Sequence, residues 1–118
     1  MRTLDQIRAQ YVWDQLQQSA PEKEYKNLAK SLPALIMSNG LMQTLAFLKS
    51  KDKDEHQRLI RDIVQWFANT EVGLLETNQG NYRDAMSRLL GGDSAYYMRA
   101  TEEALAILKW IRYLAQTM

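Results

Sequence analysis

The chain has no cysteine, one histidine, two prolines and five glycines in 118 residues. Without cysteine there is no disulfide framework, no thiol nucleophile and no thiolate metal site, a composition that suits a reducing cytoplasm. A lone histidine, His56, excludes the two-histidine zinc motif. Glycines are adjacent only at Gly91-Gly92, with neither the spacing of a dinucleotide-binding turn nor the lysine of a P-loop. An uncharged stretch from Leu32 to Leu48 holds 17 residues and is interrupted by Pro33, Asn39, Gly40 and Gln43. That is shorter than the roughly 20 apolar residues of a membrane-spanning helix, so no membrane association is expected. The opening MRTLDQIRAQ places Asp5 and Arg8 where the apolar core of a signal would begin, and reads as no signal.

What is present favours helix. There are 16 leucines, 12 alanines and 10 glutamines against 3 valines and 6 isoleucines, and no window alternates apolar and polar residues as a half-buried strand does. The expectation is an all-α fold, a compact bundle of about five to six helices in a single domain covering residues 1–118. Thr3 with Gln6 is a capping-box pair that starts a first helix from Leu4 to about Ser19, and Pro21 stops it. A second helix over about Glu22 to Ser31 carries Tyr25, Leu28, Ala29 and Leu32 at three-to-four spacing, and Pro33 is expected to break or restart it. Ala34 to Met37 continues to Asn39-Gly40, a pair suited to a left-handed helix end, and Leu41 to Lys49 forms the next helix.

Further along, a helix from about Glu55 to Asn69 is expected to bury His56, Leu59, Ile60, Ile63, Trp66 and Phe67 and to expose Arg58, Arg61, Asp62 and Gln65. Residues 70–81 read as a loop with a turn near Leu74 and Leu75. A short helix from Tyr82 to Leu90 ends at Gly91-Gly92, and a last helix from about Ala95 to Ala115 is capped by Asp93 or Ser94. Its buried stripe is Tyr97, Ala100, Thr101, Ala104, Leu108, Ile111 and Ala115, with Arg99, Glu102 and Glu103 away from it. Arg99 and Glu103 are spaced for an ion pair on the outer face.

No constellation in the chain reads as catalytic. Asp52, Asp54 and Glu55 beside His56 are interleaved with Lys49, Lys51 and Lys53, as in a solvated loop entering a helix, and lack the glycine and distal glutamate of a calcium loop. His56 is expected to be partly buried and hydrogen-bonded. Glu102 and Glu103 are adjacent on a helix, about 100° apart, and cannot act as paired carboxylates. No metal, cofactor or small-molecule substrate is expected, and no enzymatic activity.

The net charge of +1 hides an uneven distribution. Residues 23–51 hold five lysines, Lys23, Lys26, Lys30, Lys49 and Lys51, against one acid, Glu24. On a helix, Lys23, Lys26 and Lys30 fall within about 60° of one another, away from Tyr25, Leu28 and Leu32, and form a basic ridge that Lys49 and Lys51 extend if the chain folds back at Asn39-Gly40. Such a ridge suits phosphates, with salt-sensitive binding indifferent to base sequence. Arg58 and Arg61 are second-rank candidates. Trp13 and Trp110 lie off the main apolar stripes of their helices, as residues of a second packing face or of a protein interface do.

Three segments carry a resemblance. TLDQIRAQYVWDQL at the start, KNLAKSLPALIMSNGLMQTLAFL over residues 26–48 and YYMRATEEALAILKWIRYLA over residues 96–115 together resemble the small helical subunit of the type III-B CRISPR effector, the Cmr complex. Pro33, Asn39-Gly40-Leu41 and Arg99-Ala100-Thr101-Glu102 are its most specific points. The resemblance implies a non-catalytic, all-helical subunit, several copies of which stack as an inner filament beside the backbone subunits that carry the guide RNA. It further implies support of target-RNA binding in antiviral defence, with cleavage left to other subunits. It assigns no lysine to RNA. The alternative reading is a stand-alone helical module that holds a protein partner without RNA, and the weakest is an enzyme built on His56 or Asp54.

Overall fold

Pro33 sits inside a continuous helix. In the computed structural model, which describes residues 1–118, the second helix, α2, runs unbroken from Lys23 to Asn39. Proline costs a helix interior about 3 kcal/mol, because it donates no N–H and crowds the preceding turn. Leu32 and Ile36 lie on the buried stripe of α2 on either side of it, and full burial contributes about 1.5–3 kcal/mol for each. Tertiary packing therefore carries the helix through a residue that local preference reads as a stop.

The remaining helices are α1 (Leu4–Gln18), α3 (Leu41–Ser50), α4 (Asp54–Phe67), α5 (Tyr82–Gly91) and α6 (Ser94–Ala115). Several ends follow local chemistry as expected. The Thr3 hydroxyl accepts from the Gln6 N–H at 3.1 Å while the Gln6 side chain accepts from the Thr3 N–H at 2.7 Å. Asp93 caps α6 by accepting from the Tyr96 N–H at 2.8 Å. Gly40, at φ 86°, turns α2 into α3, and its N–H returns to the Ile36 carbonyl at 2.8 Å. This corner is secured from α6, because the Tyr97 hydroxyl accepts the Met42 N–H at 3.1 Å.

α6 packs chiefly on α1 and α2, while α4 is surrounded by α2, α3, α5 and α6. α4 is consequently buried around most of its girth: Leu59, Ile60, Ile63, Val64, Trp66 and Phe67 are core residues. Asp62, expected on the exposed face, is buried as well at 1% exposure. Residues 70–81 have no helix, yet they are part of the core. Val72, Leu74 and Leu75 are buried, and the N–H groups of Leu74 and Leu75 both donate to the Phe67 carbonyl, at 3.1 and 2.9 Å. The Tyr96 hydroxyl donates to the Leu74 carbonyl at 2.5 Å and Arg99 donates to the Val72 carbonyl. Arg99 thus anchors this segment and forms no ion pair with Glu103, which points inward. No helix is long and apolar enough to cross a membrane.

Candidate nucleic-acid interface

Among the basic residues, only Arg8, His56, Arg58 and Arg61 form ion pairs. Every ion pair formed by a basic side chain uses an arginine or the histidine, and none uses a lysine. Lys23, Lys30, Lys49 and Lys51 are exposed and Lys26 is half-buried. Lys49 places its Nζ 5.9 Å from the Tyr82 ring centroid and Lys51 places its own 5.4 Å from Phe47. The fold-back at Gly40 does bring α3 against α2.

A cleft of about 670 Å³ opens where the start of α2, the end of α3, the first turns of α4 and the entry to α5 meet. Lys49, Arg58 and Arg61 line it, together with the carboxylates of Glu22, Asp54 and Glu55 and with Tyr82. At the start of α2 the cleft is lined by Glu22 and Tyr25, and Lys23, Lys26 and Lys30 are not among its lining. Lys51 stands beyond it beside Phe47.

Arg58 and Arg61 differ in availability. The Arg58 guanidinium donates to the Ser19 carbonyl at 2.6 Å and to those of Gln15 and Ala20 at 3.4 and 3.5 Å, at the C-terminal end of α1, where a cation complements the helix dipole. It also stacks on Tyr25, 4.5 Å from the ring centroid. Arg61 is 56% exposed, and its one carboxylate neighbour is Asp62 at 3.8 Å.

Below the cleft lies a buried polar cluster that sequence reading missed. The Tyr25 hydroxyl donates to Asp62 Oδ2 at 2.8 Å and the Tyr11 hydroxyl to the Asp62 backbone carbonyl at 2.6 Å. Arg58 Nε is 3.8 Å from Asp62 Oδ2, beyond hydrogen-bond reach, and Asp62 Oδ1 has no hydrogen-bond partner. Burial pushes the Asp62 carboxyl above its usual 3.8, against the opposing pull of the Tyr25 hydrogen bond and the charges of Arg61 and Arg58. Burial raises both tyrosines as well, assisted by the negative charge of Asp62. The available signal was an aspartate embedded in the apolar run LIRDIVQWF.

The other candidates fall outside this region. His56 is partly buried as expected, but its Nδ1 has no hydrogen-bond partner; it lies 3.4 Å from a Glu55 oxygen and edge-on to Phe47 at 5.6 Å. Trp13 is 42% exposed on α1. Trp110 is half-buried against the core, and its indole N–H donates to Asp5 Oδ1 at 3.0 Å.

The family model described as CRISPR-associated protein (Cas_Cmr5) matches residues 4–118. The chain is 29% identical over 121 residues to CRISPR system Cmr subunit Cmr5 of Thermus thermophilus, an alignment spanning 100% of this chain and 97% of that protein. The fold is similar to the X-ray crystal structure of a CRISPR-associated Cmr5 family protein from the same organism, with a TM-score of 0.80, 29% identity, and coverage of 99% of this chain and 97% of that one.

Proposed function

The chain belongs to the CRISPR-associated Cmr5 family, and on that premise we propose that it is a non-catalytic subunit of a Cmr effector that contacts RNA phosphates. In this reading it works in the cytoplasm, stacks beside copies of itself and beside the backbone subunit, and helps hold target RNA against guide RNA. Lys23, Lys26, Lys30, Lys49 and Lys51 form the phosphate-contacting set, Arg61 stands at its edge, and Arg58 contributes chiefly by fixing the end of α1. Trp13 and Trp110 belong to the protein-facing side of the subunit.

The observation that carries this reading is that none of the five ridge lysines is engaged in an ion pair. The arginines at positions 8, 58 and 61 have carboxylate neighbours, whereas the five lysines have none. A phosphate can therefore approach those ammonium groups with no internal ion pair to break. Changing Lys23, Lys26 and Lys30 together to glutamate, and measuring target-RNA affinity of the assembled complex at several salt concentrations, tests it. Loss of three phosphate contacts is expected to weaken binding and to flatten the log-log salt slope by about 2 for a single strand. An unchanged affinity with an unchanged slope removes the ridge from the RNA path.

Exposure of Trp13 favours the second reading, a helical interaction module. Recovery of the chain with one protein partner and without guide RNA or effector subunits would select it.

A further inference from the structure

Every helix but α5 exchanges a hydrogen bond with another helix. Around α5 no hydrogen bond or ion pair leaves residues 76–92, because the Asn81 side chain, the Asp84 carboxylate and the backbone all bond within the segment. Its buried residues are Ala85 and Leu89 alone. α1 buries only Val12 and Leu16, but Arg8, Tyr11 and Arg58 tie it to α6 and α4. α5 has neither form of anchorage. Tyr82 and Met86 pack partly on the core, and two ring contacts complete the attachment. Lys49 lies 5.9 Å from the Tyr82 centroid, and the Arg88 guanidinium 4.8 Å from that of Tyr96. Such contacts are weak between exposed side chains.

The flanking chain isolates α5 further. Upstream, the N–H groups of Leu74 and Leu75 on the Phe67 carbonyl, with Tyr96 and Arg99 on the carbonyls of Leu74 and Val72, fix the backbone as far as Leu75. Glu76, Thr77 and Asn78 are polar and exposed. Downstream, α6 starts from its own cap, Asp93, and the join is Gly91-Gly92. Two glycines in succession give the backbone its widest conformational range.

We infer that residues 76–92 form a lid over α3 and α4 that opens while the other five helices stay folded, pivoting after Leu75 and at Gly91-Gly92. α5 packs on α3 and α4, and Gly80, Asn81 and Tyr82 wall the cleft, so opening joins the cleft to the surface that α5 vacates. A detached helix of 10 residues is too short to persist in water, so opening also melts α5 and frees its amides. The lid is independent of the RNA contact proposed for the lysines.

Residue-resolved hydrogen exchange of the full chain by NMR, at urea concentrations below the unfolding transition, tests it. Relative to their unfolded rates, the amides of residues 86–91 are expected to exchange at least about 100-fold faster than those of residues 104–111 in α6. They are also expected to depend little on urea, because opening exposes little surface. Leu74 and Leu75 are expected to exchange with the core. The absence of cysteine allows a second measurement. Ala85→Cys and Ala104→Cys each place a single thiol where the parent side chain is at most 1% exposed. In native buffer a thiol-specific disulfide is expected to label the first at least about tenfold faster. If either variant fails to fold, exchange in the unaltered chain decides. Exchange of residues 86–91 in step with residues 104–111, with the same urea dependence, overturns the lid. Equal labelling of the two folded variants overturns it too, as does entry of Leu74 and Leu75 into the fast-exchanging group.

Discussion

Arg8 grips Glu103 at two points, Nε to Oε1 at 3.0 Å and Nη2 to Oε2 at 2.6 Å, tying the first helix to the last. Trp66 completes the set from α4, its indole N–H donating to Glu103 Oε1 at 3.1 Å. Glu103 is buried at 5% exposure and is therefore an interior residue, although the spacing of α6 places it off the apolar stripe. Burial pushes its carboxyl upward, but hydrogen bonds from Arg8 and Trp66, together with the charge of Arg8, outweigh that and hold it below the ordinary 4.5. The folded state thus binds this proton less readily than the unfolded state does. The stabilisation is complete above pH 4.5 and is lost as pH falls through the lowered pKa.

Two variants separate charge from packing at this clamp. Arg8→Ala leaves a buried carboxylate without its cation and is expected to cost about 3–5 kcal/mol. Glu103→Gln keeps the shape and is expected to flatten the acid limb of a plot of urea-unfolding stability against pH. An acid limb identical to that of the unaltered chain would show that Glu103 does not titrate between the two states.

Asp62 predicts the opposite pH behaviour. Its carboxyl is raised, chiefly by burial, so the folded state holds the proton more tightly than the unfolded state. Stability from this group is greatest below the usual 3.8 of an aspartate and declines as pH rises through the raised value. Asp62→Asn preserves an acceptor for Tyr25 and removes the charge, and it is expected to match or exceed the unaltered chain in urea stability at neutral pH. Asp62→Ala strands the Tyr25 hydroxyl and is expected to cost about 1–3 kcal/mol. If the asparagine variant loses as much as the alanine variant, the buried charge is a net stabiliser through Arg58 and Arg61.

At the α2–α3 corner, a Cβ added to Gly40 would meet the Tyr97 hydroxyl at 3.1 Å, on a backbone with φ 86°. Gly40→Ala is expected to cost about 1–3 kcal/mol from the positive-φ extended conformation alone. Displacement of Tyr97 from the Met42 N–H adds to this. Tyr97→Phe isolates that second part at about 0.5–1.5 kcal/mol. Chemical denaturation of both variants checks the pair, and a Gly40→Ala stability equal to that of the parent would refute the strain.

What was legible in the sequence is what neighbouring residues decide. The Thr3-Gln6 cap, the Gly40 corner, the Asp93 cap and the helical character throughout depend on contacts within a few positions, and all are present in the fold. Pro33 was misleading because a remote core overrides a local penalty. Glu103 and Asp62 were misjudged because polar groups were assumed to face water, whereas partners 37 to 95 residues away satisfy them in the interior. The 70–81 segment is the loop its glycines and mixed polarity imply. The exposure of Lys23 and Lys30 could be read from their spacing, whereas Lys26 is half-buried. The cleft could not, because it is assembled from residues on four separate helices and their connections.

The two tryptophans proposed to face protein partners are expected to separate by role. The Trp110 ring is half-buried on the core, and its N–H is the main reason that the Asp5 carboxyl lies below its usual 3.8. Trp110→Ala should therefore lower stability by about 1–3 kcal/mol, through lost apolar area and a lost hydrogen bond. Trp13 is 42% exposed and makes no side-chain hydrogen bond, so Trp13→Ala should change stability by less than about 1 kcal/mol. An exposed tryptophan that anchors an interface commonly contributes about 2 kcal/mol or more to association. Trp13→Ala is thus expected to fold normally and to co-elute poorly with the other Cmr subunits at limiting concentration. Thermal unfolding of the isolated variants, followed by size-exclusion of reconstituted mixtures, measures the two effects separately. Normal co-elution of Trp13→Ala would leave that face of α1 without a partner-binding role.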